Sequence, residues 1–445
     1  MSIEYLTASA SERQQRAVAG GLGRRGVQPG DRVVVSTESC AAMLSAVLGA
    51  LRVGVVPVVL NSALLPHERA ALIADAEPVL DVTDAVLAEL LEAEPVDLAP
   101  VPLARPMHYT SGTSGTPKGV WSGLLSEHDA QRLFDDEADL WGFDADDVHL
   151  VCSPLHHSAP IRFGGGTLLR GGSVVVPGKF DPAVICDAVR TWRPTSSFMV
   201  PSHLQRLRAF GALNTADEPG EDWSSFRLLA HAGEPCPDPL KRAAIEAFPA
   251  DTVWEFYGST EGQFTSCSST EWMERPGTVG RARPDRSLSV DDDGTIWCAA
   301  PEFASFSYWR DAERTEAAWR TAPDTGRRAF TVGDLGRIDD AGYLWLDGRR
   351  DDLIISGGVN VYPAEVERVL EQMPGVEQVA VFGVPDERWG QMVCAAVVGE
   401  VAPPAVQDYA RARLAAYKCP KLVVKVSDLP HTSTGKLQRS RVAAW

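Results

Sequence analysis

The sequence predicts an α/β protein with a large N-terminal domain of doubly wound, mostly parallel sheets and a β-rich subdomain, followed by a small α+β C-terminal domain. Three observations lead to this. Extended and helical segments alternate from residue 11 to about residue 260, the pattern of a parallel sheet covered by helices. From about Gly277 the texture changes to short strands with Asp/Gly turns such as Asp291-Asp292-Asp293-Gly294. Finally, Gly348-Arg349-Arg350-Asp351-Asp352 interrupts that pattern ahead of a compact unit of under a hundred residues. The domains are therefore expected at 1–350 and 351–445, with the boundary at Arg350–Asp351.

The elements follow in order. Asp31–Ser36 reads as a strand, Cys40–Arg52 as a helix of small residues, and Val55–Leu60 as a second strand. Glu68–Ala76 continues as helix and Val79–Val82 as strand. The polar run Ser126–Leu140 has helical spacing, and Asp147–Ser153 is a strand ending at Pro154-Leu155-His156-His157-Ser158. Ser173–Pro177, Ser197–Val200, Arg227–Ala232 and Thr252–Tyr257 are further strands, interleaved with helices over Asp181–Trp192 and Pro239–Phe248. Three strand ends carry polar or glycine-rich turns, and ligands of open α/β sheets collect there. In the C-terminal unit a helix starts at Pro363, with Glu365 and Glu367 suited to its dipole. Strands over Val376–Gly383, Met392–Val398 and Leu422–Ser427 flank a helix over Ala405–Tyr417, before the polar loop His431–Lys436.

The bulk composition excludes several functions. A net charge of −18 over 445 residues argues against nucleic acid and against an anionic membrane surface. No stretch approaches the ~18 apolar residues of a membrane span, and the N-terminus lacks a signal-peptide core. Eight scattered cysteines with no CxxC pair support neither zinc nor a disulfide framework, and are expected as reduced, mostly buried thiols in the cytoplasm.

The chemistry centres on Tyr109–Val120, YTSGTSGTPKGV. Gly112, Gly115 and Gly119 let backbone N–H groups turn inward, while Thr110, Ser111, Thr113, Ser114 and Thr116 add hydroxyls and Lys118 adds a cation. Together these make a concave donor surface suited to a polyphosphate. The familiar ATPase loop needs Gly-Lys-Ser/Thr, and Lys118-Gly119-Val120 is not that order. The segment instead resembles the phosphate loop of the adenylate-forming superfamily of acyl-CoA synthetases, peptide-synthetase adenylation domains and luciferases. Only about a hundred residues precede it, so the chain resembles a trimmed member, and the short diterpenoid acyl-CoA synthetases of platensimycin-type pathways come to mind.

Further segments match that superfamily in order. The resemblance implies that Tyr257 in Tyr257-Gly258-Ser259-Thr260-Glu261 stacks on adenine, Thr260 bonds the α-phosphate and Glu261 holds Mg²⁺. It makes Asp334 the carboxylate that accepts both ribose hydroxyls, with Arg349 as an added donor, and lays Gly233-Glu234-Pro235 against the adenine. Lys436 resembles the lysine that stabilises charge as a carboxylate attacks phosphorus. Asp351 matches the hinge of a mobile C-terminal domain, and Gly357-Gly358 the turn lining the pantetheine tunnel. His157 aligns with the gate of the carboxylate pocket; two adjacent histidines find no completing metal ligands, and no aspartate marks an amino-acid substrate. Gly164-Gly165-Gly166 reads equally as a widened pocket for a bulky or polycyclic acid and as close helix packing.

The resemblance thus implies a cytoplasmic acyl-CoA synthetase using ATP, Mg²⁺ and CoA on a small-molecule carboxylic acid, passing through acyl-AMP. Two alternatives stay open at this point. A partner enzyme could supply the acyl-AMP, leaving only thioester formation, or a carrier protein's phosphopantetheine could replace CoA. A non-catalytic adenylate sensor fits poorly with so complete a motif set. A homodimer is the default assembly for such an enzyme.

Overall fold

The computed structural model describes residues 3–110, 118–214, 220–323, 325–349, 352–356, 359–386, 390–431 and 437–443. The predicted Ser111, Gly112, Thr113, Ser114, Gly115, Thr116, Asp351, Gly357, Gly358 and Lys436 lie outside the described residues, as do the side chains of Thr110 and Arg349.

The chain opens with β1 (Glu4–Thr7) and α1 (Ala8–Arg24), whose cap is the Thr7 hydroxyl accepting from the Ala10 N–H. A first small parallel sheet follows: β2 (Arg32–Val35), α2 (Ala41–Leu51), β3 (Val56–Val59), α3 (Pro66–Ala76), β4 (Leu80–Val82) and α4 (Asp84–Leu91), with strand order β3-β2-β4. The run Val33-Val34-Val35 is buried on both faces, which is why it shows no polar alternation. α2 is apolar nearly all round and buried nearly all round, wedged between this sheet and α1. The hairpin β5 (His108–Thr110) and β6 (Lys118–Trp121) brackets the glycine-rich segment.

The second unit is built on an eight-stranded sheet. α5 (Glu127–Trp141) starts at Ser126, whose hydroxyl accepts from the Asp129 N–H at 3.1 Å, and stops at Gly142, whose φ is 61°. Then come β7 (Val148–Val151), α6 (Ser158–Leu169), β8 (Ser173–Val176), α7 (Pro182–Trp192), β9 (Ser196–Met199), α8 (Pro201–Ala209), β10 (Leu228–His231), α9 (Asp238–Ala247) and β11 (Val253–Glu255). β12 (Thr265–Ser268), α10 (Ser269–Glu274) and β13 (Arg281–Ala282) complete it, in the order β1-β8-β7-β9-β10-β11-β12-β13. The middle five strands are parallel; β1, β12 and β13 add antiparallel edges. The carboxyl ends of β7, β10 and β11 therefore open on one side.

The β-rich region holds β14 (Ser287–Val290), β15 (Ile296–Ala299), β16 (Ser307–Tyr308), α11 (Ala312–Ala317), β17 (Trp319–Thr321), β18 (Arg328–Phe330), β19 (Asp334–Ile338) and β20 (Leu344–Arg349). β16 joins β6, so the hairpin around the glycine-rich segment grows into a three-stranded sheet. The remaining residues form a separate sheet from β21 (Ile354–Ser356), β22 (Val359–Val361), β23 (Val376–Asp386), β24 (Gly390–Gly399) and β25 (Leu422–Lys425). α12 (Pro363–Leu370), α13 (Pro403–Arg411) and α14 (Arg439–Val442) accompany it. α12 starts at Pro363 as expected, but α13 ends six residues before the expected Tyr417. Beyond it the chain turns, and Lys418 leaves the helix line to bond Glu365 of α12 at 2.5 Å.

All eight cysteines are free, six of them buried. Among the described residues no helix is long and apolar enough to cross a membrane.

Candidate active site

The site begins in the turn after β11. Phe264 and Thr265 both donate main-chain N–H groups to the Tyr257 carbonyl, and Ser259 N–H donates to Gly262 O at 2.8 Å, closing Tyr257–Phe264 into a tight loop. A Cβ on Gly262 would lie 2.4 Å from Cζ of the fully buried Phe330 ring, so that position needs glycine, while one on Gly258 would lie 2.5 Å from Gln263 Oε1 and displace that side chain. Within the loop Tyr257 is buried against Phe264, and its hydroxyl donates to Asp334 Oδ2 at 2.6 Å. Asp334 is itself buried, at the first position of β19, opposite Arg349 of β20 in the strand register.

Glu261, in the same loop, is buried and accepts from the Tyr308 hydroxyl at 3.0 Å. Burial and the Glu261 charge push the Tyr308 phenol far above its ordinary range, so it stays a donor. Tyr308 lies on β16 beside Val120 of β6, and Lys118 Nζ sits 5.2 Å from the centre of the Tyr308 ring. The sequence-predicted Lys118, Tyr257, Thr260, Glu261 and Asp334 are thus brought together, with Tyr308 as the link that sequence reasoning missed.

Gly233-Glu234-Pro235 leaves the neighbouring strand, β10, at the same sheet edge. Gly233 has φ +99°, and Glu234 Oε1 accepts from the Ser202 N–H at 2.7 Å, which fixes the turn to the start of α8. His157 occupies the N-cap position of α6, its ring centre 4.1 Å from that of His156 with the two planes tilted by 57°. His108 Nδ1 lies 3.1 Å from the His156 carbonyl, and burial holds both His108 and His156 down at about 4, so both are neutral at pH 7.

Beside the loop lies a cavity of about 150 Å³. Ser158, Ile161, Arg162, Gly165, Gly166 and Leu169 line it, all on one face of α6 by their spacing. Thr260, Gly262 and Gln263 close it on the loop side, and His108 rather than His157 contributes an imidazole. The glycines serve both readings of the triplet. Gly165 and Gly166 border the cavity, while added Cβ atoms would lie 2.9 Å from Leu48 Cδ2 and 2.2 Å from Phe143 Cε2. The wall also carries charge that the sequence reading did not anticipate. Burial would raise the Glu137 carboxyl, but Arg162, Arg283 and Arg286 hold it down at about 2.

Comparison with known proteins places this geometry. A family model described as "AMP-binding enzyme" matches residues 2–106 and 104–301, and one described as "AMP-binding enzyme C-terminal domain" matches 365–436. The long-chain-fatty-acid–CoA ligase FadD13 of Mycobacterium tuberculosis is 31% identical over 462 aligned residues, covering 93% of this chain and 88% of that protein. ATP-bound MatB from Rhodopseudomonas palustris superposes with a TM-score of 0.83 at 30% identity, covering 98% of this chain and 92% of that one. The o-succinylbenzoate CoA synthetase MenE from Bacillus subtilis, in complex with its acyl-adenylate intermediate, also gives a TM-score of 0.83, at 27% identity over 98% of this chain and 92% of that one.

Proposed function

We infer function from one premise: the chain belongs to the AMP-binding enzyme family, and it is an acid–thiol ligase of the AMP-forming, acyl-CoA-synthesising kind. We propose that it performs both half-reactions in the cytoplasm. In the first, a carboxylate oxygen attacks the α-phosphorus of ATP, an O–P bond forms, and pyrophosphate leaves. In the second, the CoA thiol attacks the acyl carbonyl, a C–S bond forms, a proton is lost, and AMP leaves. Chemistry of this type asks the protein mainly to position the reactants and neutralise charge.

The observation that carries this reading is the meeting of Tyr257, Asp334 and Glu261 beside a cavity, with Lys118 at the adjoining hairpin. Asp334 keeps one carboxylate oxygen on Tyr257 and is suited to accept from a ribose diol; Tyr257 offers its ring to adenine, beside the Gly233–Pro235 edge. Thr260, which lines the cavity, donates to the α-phosphate in this reading. The Glu261 carboxylate, a hard oxygen donor, fits Mg²⁺, and no group of three or more acidic, His or Cys side chains gathers among the described residues. Phosphate oxygens would then complete the ion's shell, and the ion would neutralise pyrophosphate. Lys118, with the hydroxyls of Thr110–Thr116, takes the β- and γ-phosphates.

Lys436 stabilises charge in adenylation, and Gly357–Gly358 admit the pantetheine arm, exchanged by rotation of the 351–445 domain about Asp351. His157, at the start of α6, gates the acid's entry. A cavity of about 150 Å³ is the size that holds a single benzene-like ring. It supports a compact acid over a polycyclic one.

ATP–pyrophosphate exchange across a panel of carboxylic acids, followed by mass spectrometry with CoA, tests the proposal. Acid-dependent exchange and an acyl-CoA product are expected. A thioester made only from supplied acyl-AMP, or only on a holo-carrier protein, would overturn the full reaction in favour of those narrower activities.

A further inference from the structure

One residue of α3, Asp75, grips both strands that carry the glycine-rich segment. Tyr109 of β5 and Gly119 of β6 are paired across the hairpin, one step below Thr110 and Lys118. The Tyr109 hydroxyl donates to Asp75 Oδ2 at 2.5 Å. Burial and the Asp75 charge push that phenol far above its ordinary range, so it stays a donor. Gly119 is held through Trp309. The Trp309 main-chain N–H donates to the Gly119 carbonyl at 2.8 Å, and its indole N–H donates to the Asp75 carbonyl at 3.0 Å. A Cβ on Gly119 would come within 3.2 Å of Trp309 Cβ and 3.4 Å of Tyr109 Cζ, so a glycine there lets both residues close over the strand pair.

The residues after Asp75 are fixed as firmly. Arg32 of β2 donates to the Ala76 and Glu77 carbonyls, at 2.6 and 3.2 Å, and its guanidinium lies 4.4 Å from the centre of the Trp309 ring. Glu77 pairs with Arg310 at 2.6 Å. Both of these non-glycine residues have left-handed backbone, with φ of 46° and 56°. Such conformations are costly and persist where neighbours over-determine them. We propose that residues 75–77 form a strap that sets the phosphate hairpin for the β- and γ-phosphates of ATP, with Tyr109 and Trp309 as its positioning residues. This rests on the ligase reading above, which gives those phosphates to Lys118 and its loop. Gripping a cross-strand pair at the foot of the hairpin fixes the spacing of both strands, and binding is tighter where less ordering is left for the ligand to impose. AMP lacks the β- and γ-phosphates, so its affinity does not depend on the strap.

The test uses the full chain and reads discrimination between nucleotides. Isothermal titration gives affinities for Mg²⁺-ATP and for AMP, and pyrophosphate exchange gives KM for ATP and kcat. Tyr109→Phe removes one bond to Asp75 and Trp309→Phe the other, each keeping a ring in place. The ratio of ATP to AMP affinity is expected to fall at least fivefold in the double variant, with AMP affinity held within twofold and the rise confined to KM for ATP rather than kcat. Asp75→Ala should match Tyr109→Phe, and Asp75→Asn, which still offers Tyr109 an oxygen, should lie between it and the unaltered chain. A smaller fall in the ratio overturns the inference, whether the two nucleotides weaken together or neither does. If the double variant does not fold, Tyr109→Phe alone, which deletes a single oxygen atom, carries the test with a threefold fall as its threshold. An unchanged ratio in a chain that still exchanges pyrophosphate overturns the strap and leaves the ligase reading standing. Failure of the unaltered chain to bind ATP overturns both.

Discussion

The hydroxyl of Tyr308 donates to Glu261 Oε1 across 3.0 Å, joining residues 47 positions apart inside the protein. This bond fixes one oxygen of the proposed Mg²⁺ ligand and leaves the other for the ion. Tyr308→Phe keeps the ring and its contact with Lys118 but removes the donor. A hydrogen bond to a charged group contributes about 1.5–3 kcal/mol, so pyrophosphate exchange should fall roughly ten- to a hundredfold. The Mg²⁺ concentration for half-maximal rate should rise with it. Unchanged Mg²⁺ dependence would separate Tyr308 from the metal site.

Asp334 stands in the same relation to Tyr257, at 2.6 Å. In Tyr257→Phe the buried carboxylate loses its neutral donor while the ring remains to stack. AMP affinity should weaken by about tenfold, and Asp334→Ala should weaken it further by removing the ribose acceptor. Titration calorimetry with AMP checks both. Equal affinity in Asp334→Ala would mean that the nucleotide sits elsewhere.

Lys436 is expected to act in one half-reaction only. Lys436→Ala should lower pyrophosphate exchange by about 10²–10³, the usual range for a lost transition-state donor. Thioester formation from chemically supplied acyl-AMP should persist within a few-fold. Loss of both activities together would show that the two steps share one active conformation.

Much of this was readable in the sequence. The parallel strands of the central sheet announce themselves as short apolar runs, and their polar carboxyl ends mark where ligand groups gather. What stayed hidden has two physical causes. The helix α6 carries Pro160 and three consecutive glycines, which mask its helical pattern; yet Pro160 falls in the first turn, where its missing N–H costs nothing, and Leu44, Leu48 and Phe143 fill the space that side chains at 164–166 would need. Once α6 is a helix, its period sets Arg162 on the face of Ser158, Gly165 and Gly166, so that residue was legible in principle. Tyr308 was not, because only the pairing of β16 with β6 brings it to Glu261.

Acid should weaken the fold, and two opposed groups of side chains decide how. Burial lowers five histidines: His108 and His156 to about 4, His149 and His203 to about 3, and His231 well below its ordinary value. The unfolded chain binds those protons near pH 6.5 and the folded chain does not. Their contribution is therefore present above about 6.5 and lost as pH falls. Glu371, capping α12, has the opposite sign. Burial pushes its carboxyl up to about 7, with Glu367 and Asp238 of α9 adding to the rise and Arg368 and Arg439 opposing it. Its contribution is present below the ordinary carboxylate range and lost as pH rises toward 7. One carboxyl offers on the order of 2 kcal/mol, against roughly 1.4 kcal/mol per pH unit for each histidine, so the histidines win. The urea midpoint should drop steadily from pH 7 to pH 5. Glu371→Gln, permanently neutral, should lie above the unaltered chain at pH 8 and approach it at pH 5. A midpoint that climbs on acidification would mean that these imidazoles are not held neutral by the fold.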